Sequence, residues 1–226
     1  MAGVAALREQ VAVLVIVDVL SFSTAVDVAV SRGAAVVPFA HGDRDAAEIV
    51  ARQVGAALVH PRSAAGGQFS LSPASLMTVA AGTLLMLPSP NGSRLSLAGG
   101  ATPVLTGCLR NAGAVARAAR AMARGGTIGV VPAGERWPDD SLRPAIEDLL
   151  GAGAIIHHLD LPCSPEARVA RDALLSAGDQ LAGLIRDSAS GRELVGRGFA
   201  RDVDIALEIE ASDVAPVLSE GAYRAA

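Results

Sequence analysis

"VAVLVIVDVL", Val11–Leu20, decides how the rest of the chain is read. It is a continuous, mostly β-branched apolar run interrupted only by Asp18. Such a run, without polar alternation, is the pattern of a strand buried on both faces, as strands of a parallel sheet are. It is too short to span a bilayer, and no small-residue cleavage site follows it, so a soluble, cytoplasmic protein is expected.

Outward from this strand the pattern alternates. A helical stretch over 23–32 precedes a second strand, "AAVVPF". "DRDAAEIVARQVG" offers Asp43 or Asp45 as an N-cap and stops at Gly55, as helices commonly do. "AALVH" (Ala56–His60) reads as a third strand. From Pro61 to Pro73 the sequence is rich in Gly, Ser and Pro, which marks a lid or site loop. "GTLLML", "TPVLTG", "TIGVVPAG" and "AIIHHLDL" read as further strands, separated by the helices "NAGAVARAARAMARG" and "SLRPAIEDLLGAG". Beyond residue 160 the pattern is mostly helical, with serines opening "SPEARVARDALLSAGDQLAGLIRDS" and "SGRELVGRGF". This rhythm predicts one α/β domain over 1–226, a three-layer α/β/α sandwich on a mainly parallel or mixed sheet; any subdivision would fall near 160.

Composition narrows the chemistry. The 226 residues suffice for one substantial core, and 51% of them are apolar. The net charge of -4 is spread along the chain, so no basic stripe argues for nucleic acid. With Cys108 and Cys163 alone, no disulfide framework is indicated. Every basic side chain other than histidine is arginine, and the absence of lysine excludes a P-loop lysine, a Schiff base and a lysine general base.

In α/β folds, ligands bind beyond the carboxyl ends of the strands. Four polar segments end strands here: Asp18, Pro90–Arg94, Gly107–Asn111 and Gly134–Glu135. In a parallel sheet they share one edge. The "PNGSR" segment carries an Asn-Gly pair, a strong hairpin signal, yet a short helix pattern rather than a returning strand follows it. Read as a strand-to-helix turn, Asn91, Gly92 and Ser93 offer backbone N–H groups to an anion, and Arg94 can fork two phosphate oxygens. Arg110 and Asn111 can add donors from the next turn. Cys108 lies in the same turn and reads better as a small packing residue than as a nucleophile, with no histidine near it in sequence. Asp18 with Glu147 and Asp148 could hold a hard divalent cation, although adjacent helical residues point about 100° apart. His157 and His158 read as structural, and Glu135, Asp139 and Asp140 as solvated charge.

Taken in order, "VLVIVDVLSFSTAV", "SPNGSRLS", "GCLRNAGAVA", "AGER" and "AIEDLLGAGAII" resemble the Mg²⁺-dependent 2-phosphosulfolactate phosphatases, and "SGRELVGRGFARDVDIALEIEASDVAPVL" resembles their C-terminal segment. The resemblance implies a phosphatase acting on a small phosphorylated acid, with 3-sulfolactate as the family's product in coenzyme M biosynthesis. It also implies a homo-oligomer, and Asp18, Asn91–Arg94, Asn111 and Glu147–Asp148 as the matching site positions. In these roles Asp18, Arg94 and Asn111 are catalytic candidates. Asn91, Gly92, Ser93, Cys108 and Arg110 would contact substrate, and Asp18, Glu147 and Asp148 would hold Mg²⁺. Nucleic acid and membrane are not expected partners.

Three departures stand out. Ser21 replaces a common arginine, His60-Pro61-Arg62 replaces Gly-Glu-Arg, and "GQFSLSP" retains only Ser72-Pro73 of a longer pattern. They bear on substrate, metal binding or activity itself, so a catalytically silent anion-binding protein is the rival reading. A haloacid-dehalogenase-type phosphatase is excluded, because Leu20 occupies its second acid position and its lysine has no counterpart.

Overall fold

The computed structural model describes residues 2–40, 44–62 and 68–226; Asp43 and residues 63–67 of the expected lid loop lie outside them. The buried run becomes a strand, and the chain proceeds as α1 (Ala2–Leu7), β1 (Val13–Val17), α2 (Phe22–Ser31), β2 (Ala35–Ala40), α3 (Arg44–Val54) and β3 (Ala57–Leu58). Next come α4 (Pro73–Leu76), β4 (Leu84–Ser89), α5 (Gly92–Leu97), β5 (Val104–Gly107), α6 (Ala112–Ala123) and β6 (Ile128–Pro132). A small hairpin of β7 (Glu135–Arg136) and β8 (Leu142–Arg143) leads into α7 (Ile146–Leu159). The helices α8 (Pro165–Ala177), α9 (Leu181–Asp187), α10 (Ala189–Gly196) and α11 (Ala200–Ala206) precede a closing hairpin, β9 (Pro216–Ser219) and β10 (Ala222–Ala225).

Among the described residues, eight strands form one mixed sheet in the order β3-β4-β2-β10-β9-β5-β1-β6. Two parallel groups, β3-β4-β2 and β5-β1-β6, are joined by the antiparallel β9–β10 hairpin. The antiparallel pairings β2–β10, β10–β9 and β9–β5 make the two groups run in opposite directions. The hairpin turn carries Glu220 and Gly221, both at positive φ (50° and 78°). Positive φ at both central residues is what a tight type I′ connection needs.

This sheet is sharply curved. Five strand spacings separate β4 from β1, about 24 Å if the sheet were flat. Yet the N–H of Gly92, just after β4, lies 2.9 Å from the carboxylate of Asp18, just after β1. Twist of about 20–25° per step accumulates over that span to roughly 100–125°. Added to the reversal of direction, it swings the carboxyl end of β4 round toward that of β1. The four polar segments therefore come from two sheet halves, rather than from one edge of a uniformly parallel sheet.

Three layers follow from the side-chain alternation. Val13, Val15 and Val17 of β1 pack against α6 and α7, whereas Leu14 and Ile16 face α2 and share a core with Leu85 and Leu87 of β4. The inner helix α2 touches strands of both halves, and nearly all of it is buried. On the outer side of β4, Met86 packs on Ala47 and Ala51 of α3.

Two expectations fail here. "AIIHHLDL" is the second half of α7, not a strand. A helix buried around most of its surface gives the same unbroken apolar run as a buried strand, so periodicity cannot separate them. Close packing explains its glycines, since a Cβ on Gly151 would stand 2.6 Å from a methyl of Val19. His157 and His158 are accordingly neighbours on the exposed last turn, with rings 5.5 Å apart. The second correction is smaller: the serine capping α10 is Ser188, which accepts from the Gly191 N–H, rather than Ser190.

Candidate active site

Asp18 leaves β1 at the point where α2 and α5 begin. Its Oδ1 accepts from the Phe22 N–H (3.2 Å) and its Oδ2 from the Gly92 N–H (2.9 Å). Two helix N-termini thus hold one carboxylate, an arrangement favoured by their partial positive charge. Glycine is required at position 92, because a Cβ there would stand 2.2 Å from the ring of Phe22. The Asn-Gly pair is therefore neither a hairpin nor an open cradle. The anion its backbone holds is the protein's own Asp18.

Around Asp18 stand three more carboxylates. Asp148, from the first turn of α7, accepts from the N–H groups of Val19 (2.7 Å) and Gly134 (2.9 Å), tying together the chain leaving β1 and β6. Glu135 accepts from the side-chain amide of Asn91 at 2.8 Å. Glu147 is buried beside them, and its charge acts on Asp18, Glu135 and Asp148. Burial, then the charge of Glu135, pushes the Asp18 carboxyl up to about 7 against the pull of its two backbone donors, with Glu147 adding to the rise. Asp148 is raised by burial first, then by Asp18 and Glu147. Burial also raises Glu135, with the Asn91 amide opposing. Four acids crowded into a buried space repel one another, which is chemistry suited to a hard cation. Among the described residues, however, no three acidic, His or Cys side chains converge as a ready-made metal cage.

Glu135 corrects its reading as solvated charge; it is half-buried and bonded to the loop after β4. Asp139 and Asp140 do lie exposed, in the turn between β7 and β8. Arg94 is half-buried on a cavity of about 340 Å³ that Asn91 and Arg136 also line. Ser93 points elsewhere, its hydroxyl donating to the Leu87 carbonyl at 2.7 Å.

The turn after β5 is occupied differently. Arg110 is buried, donating through Nε to Asp27 (2.8 Å) and through Nη1 to the Ile205 carbonyl (3.1 Å) and to Glu208. Asn111 accepts from the Cys108 N–H (2.9 Å) and donates to the Val214 carbonyl (3.1 Å). Cys108 is fully buried, and burial pushes its thiol up to about 12. Arg110 ties the C-terminal segment to α2, Asn111 holds the same segment at Val214, and Cys108 is hydrogen-bonded to Asn111; none of the three side chains hydrogen-bonds to Asp18.

One residue the sequence reading passed over does reach the site. Arg62 donates through Nη2 to the Ser21 hydroxyl at 2.6 Å and through Nε to buried Asp202 at 3.2 Å. A guanidinium thus stands beside Ser21, the position where the resemblance marks an arginine as lost. The signal was present in His60-Pro61-Arg62, which keeps the basic residue while losing the acid. Asp202 in turn accepts from the hydroxyl of Ser72, within the retained Ser72-Pro73 pair.

Comparison with known proteins adds a family. Residues 4–221 match the family model of the 2-phosphosulpholactate phosphatases. A curated relative, a 2-phosphosulfolactate phosphatase of Methanothermobacter thermautotrophicus, is 34% identical over 142 residues. The match covers 62% of this chain and 58% of the relative's length.

Proposed function

Because the chain belongs to the 2-phosphosulfolactate phosphatase family, we propose that it is a Mg²⁺-dependent phosphatase that removes phosphate from a small acidic metabolite, 2-phosphosulfolactate or a related phospho-acid. The observation that carries this reading is Asp18 held between two helix N-termini with Glu135, Glu147 and Asp148 crowded around it.

A divalent cation fits this donor set. Mg²⁺ is usually held by one or two carboxylates, keeping several waters and taking oxygens from substrate phosphate, rather than by an all-protein cage. One or two of Asp18, Glu147 and Asp148 would hold it; Asp18 and Asp148 each accept two backbone N–H groups, which orients them, and each carboxylate oxygen keeps a further acceptor site. When bound, the ion would polarise the phosphoryl group and lower the pKa of a coordinated water.

The chain's own residues do the rest. Backbone donors fix the orientation of Asp18, so no reorganisation is needed when charge shifts in the reaction. Arg94 offers a forked cation to the phosphoryl oxygens. Glu135 holds Asn91, and through it the loop that carries Arg94. Asp18 is the group placed to handle the attacking oxygen, as base toward water or as nucleophile itself.

The test is phosphate release from an aryl phosphate and from a panel of phospho-acids, with Mg²⁺ and then with EDTA. Turnover that needs Mg²⁺ and is fastest on a phospho-acid is expected. Folded protein that releases no phosphate from any of them would leave the silent anion-binding protein as the correct reading.

A further inference from the structure

A second cavity, of about 240 Å³, meets β4 at Pro88 and the loop after it at Pro90. Arg44, His60, Arg62 and Arg197 line it, over an apolar floor that includes Phe39 and Leu58. Among the described residues no acidic side chain lines it, although the chain as a whole carries net negative charge. Arg62 and Arg197 lie against the same Phe199 ring, at 5.5 and 5.9 Å from its centre. Two like charges are therefore kept close to each other. Arg44 donates to His60 at 3.2 Å and pairs with Glu48, while Asp202 offsets Arg62. Arg197 has no carboxylate partner among the described residues. Counted over the described residues, one positive charge is left over in a half-enclosed apolar space, which favours an anion.

We propose that this cavity receives the non-phosphorylated end of the substrate, a second anionic group (carboxylate or sulfonate) on a short apolar body. The inference rests on the phosphatase reading for its orientation. The phosphoryl group would lie with Asp18 and Arg94, and the acid end would pass Ser21 to reach Arg62, Arg197 and Arg44. Arg62 touches both regions, since one of its nitrogens binds Ser21 while its side chain lines the cavity. Its position selects substrates whose two anionic ends are a few bonds apart.

Calorimetric titration of the full chain with L-malate, with 2-hydroxyethanesulfonate and with inorganic phosphate tests this. Arg44 and Arg197 are exposed, so the double variant Arg44→Ala/Arg197→Ala keeps the fold, which circular dichroism verifies. At least one organic acid should bind the native chain, malate identifying a carboxylate site and the sulfonate a sulfonate site. Its affinity should fall about 10-fold or more in the double variant and in Arg197→Glu alone, with phosphate affinity unchanged. Failure of both acids to bind, binding indifferent to these substitutions, or an equal loss of phosphate affinity would each overturn the proposal. Turnover of an aryl phosphate, which carries no second acid, judges the phosphatase reading separately.

Discussion

Two buried polar clusters sit at the ends of adjacent strands, and they are built to opposite rules. After β5, Arg110 and Asn111 spend their hydrogen bonds on their own chain, and a cation stands between the two acids Asp27 and Glu208. After β1, four acids share one space, and Asp18 and Asp148 are both held above the usual carboxylate range. Burying a charge is costly unless it is paired. A cluster that meets that cost internally is structure, whereas one that leaves it unmet is arranged for something that arrives from outside. The one exception in the first cluster is Asp27 Oδ1, buried without a hydrogen-bond partner among the described residues.

If the contrast holds, substitutions in the two clusters should fail in different ways. Arg110→Ala strips buried Asp27 of its cation and should cost about 3–5 kcal/mol of stability, read as a fall in denaturation midpoint. An unchanged midpoint would dissolve the distinction. Asp18→Asn should instead lower turnover by about 100-fold or more while the melting temperature stays near that of the native chain. A collapse in stability there would make Asp18 structural.

The pH dependence is smaller and has a definite sign. Asp18 has a pKa near 3.8 unfolded and about 7 folded, so the native state binds more protons between those values. Its contribution is therefore complete below pH 3.8 and lost as pH rises through 7. Melting curves without metal should show the protein gaining stability from pH 7.5 toward about pH 5.5, and Mg²⁺ should raise the midpoint more at the higher pH. A flat profile would mean the acids do not repel one another as their positions imply. The smallest effect concerns the thiols. With Cys108 buried and its thiol pushed up to about 12, iodoacetamide at pH 8 should label only half-buried Cys163 in the native protein, as mass spectrometry can count.

Much of this was legible along the chain. Val11–Val17 declared itself a buried strand, and the segments ending at Asp18, Asn91–Arg94 and Gly134–Glu135 were marked as site material by their place after strands. Local pattern misled where two structures share one signature, as in "AIIHHLDL", whose burial in a helix looks like burial in a strand. It was silent where short strands carry little periodicity, so the C-terminal hairpin that fills the middle of the sheet went unseen. Arg110 and Asn111 looked like anion binders because their residue types suit that task.

What sequence alone determined is therefore the alternation of elements and the set of polar residues available at strand ends, since both follow from local spacing and side-chain chemistry. Which of those residues share a site was decided only by the tertiary structure. Gly92 meets Asp18 across 74 positions, and Val19 meets Asp148 across 129. Those meetings depend on the curl of a sheet whose central strands come from the end of the chain. The same curl leaves Asp18 among mutually repelling acids, with Arg62 beside Ser21, while Arg110 is closed off with Asp27, because a charged side chain's role depends on its neighbours in space.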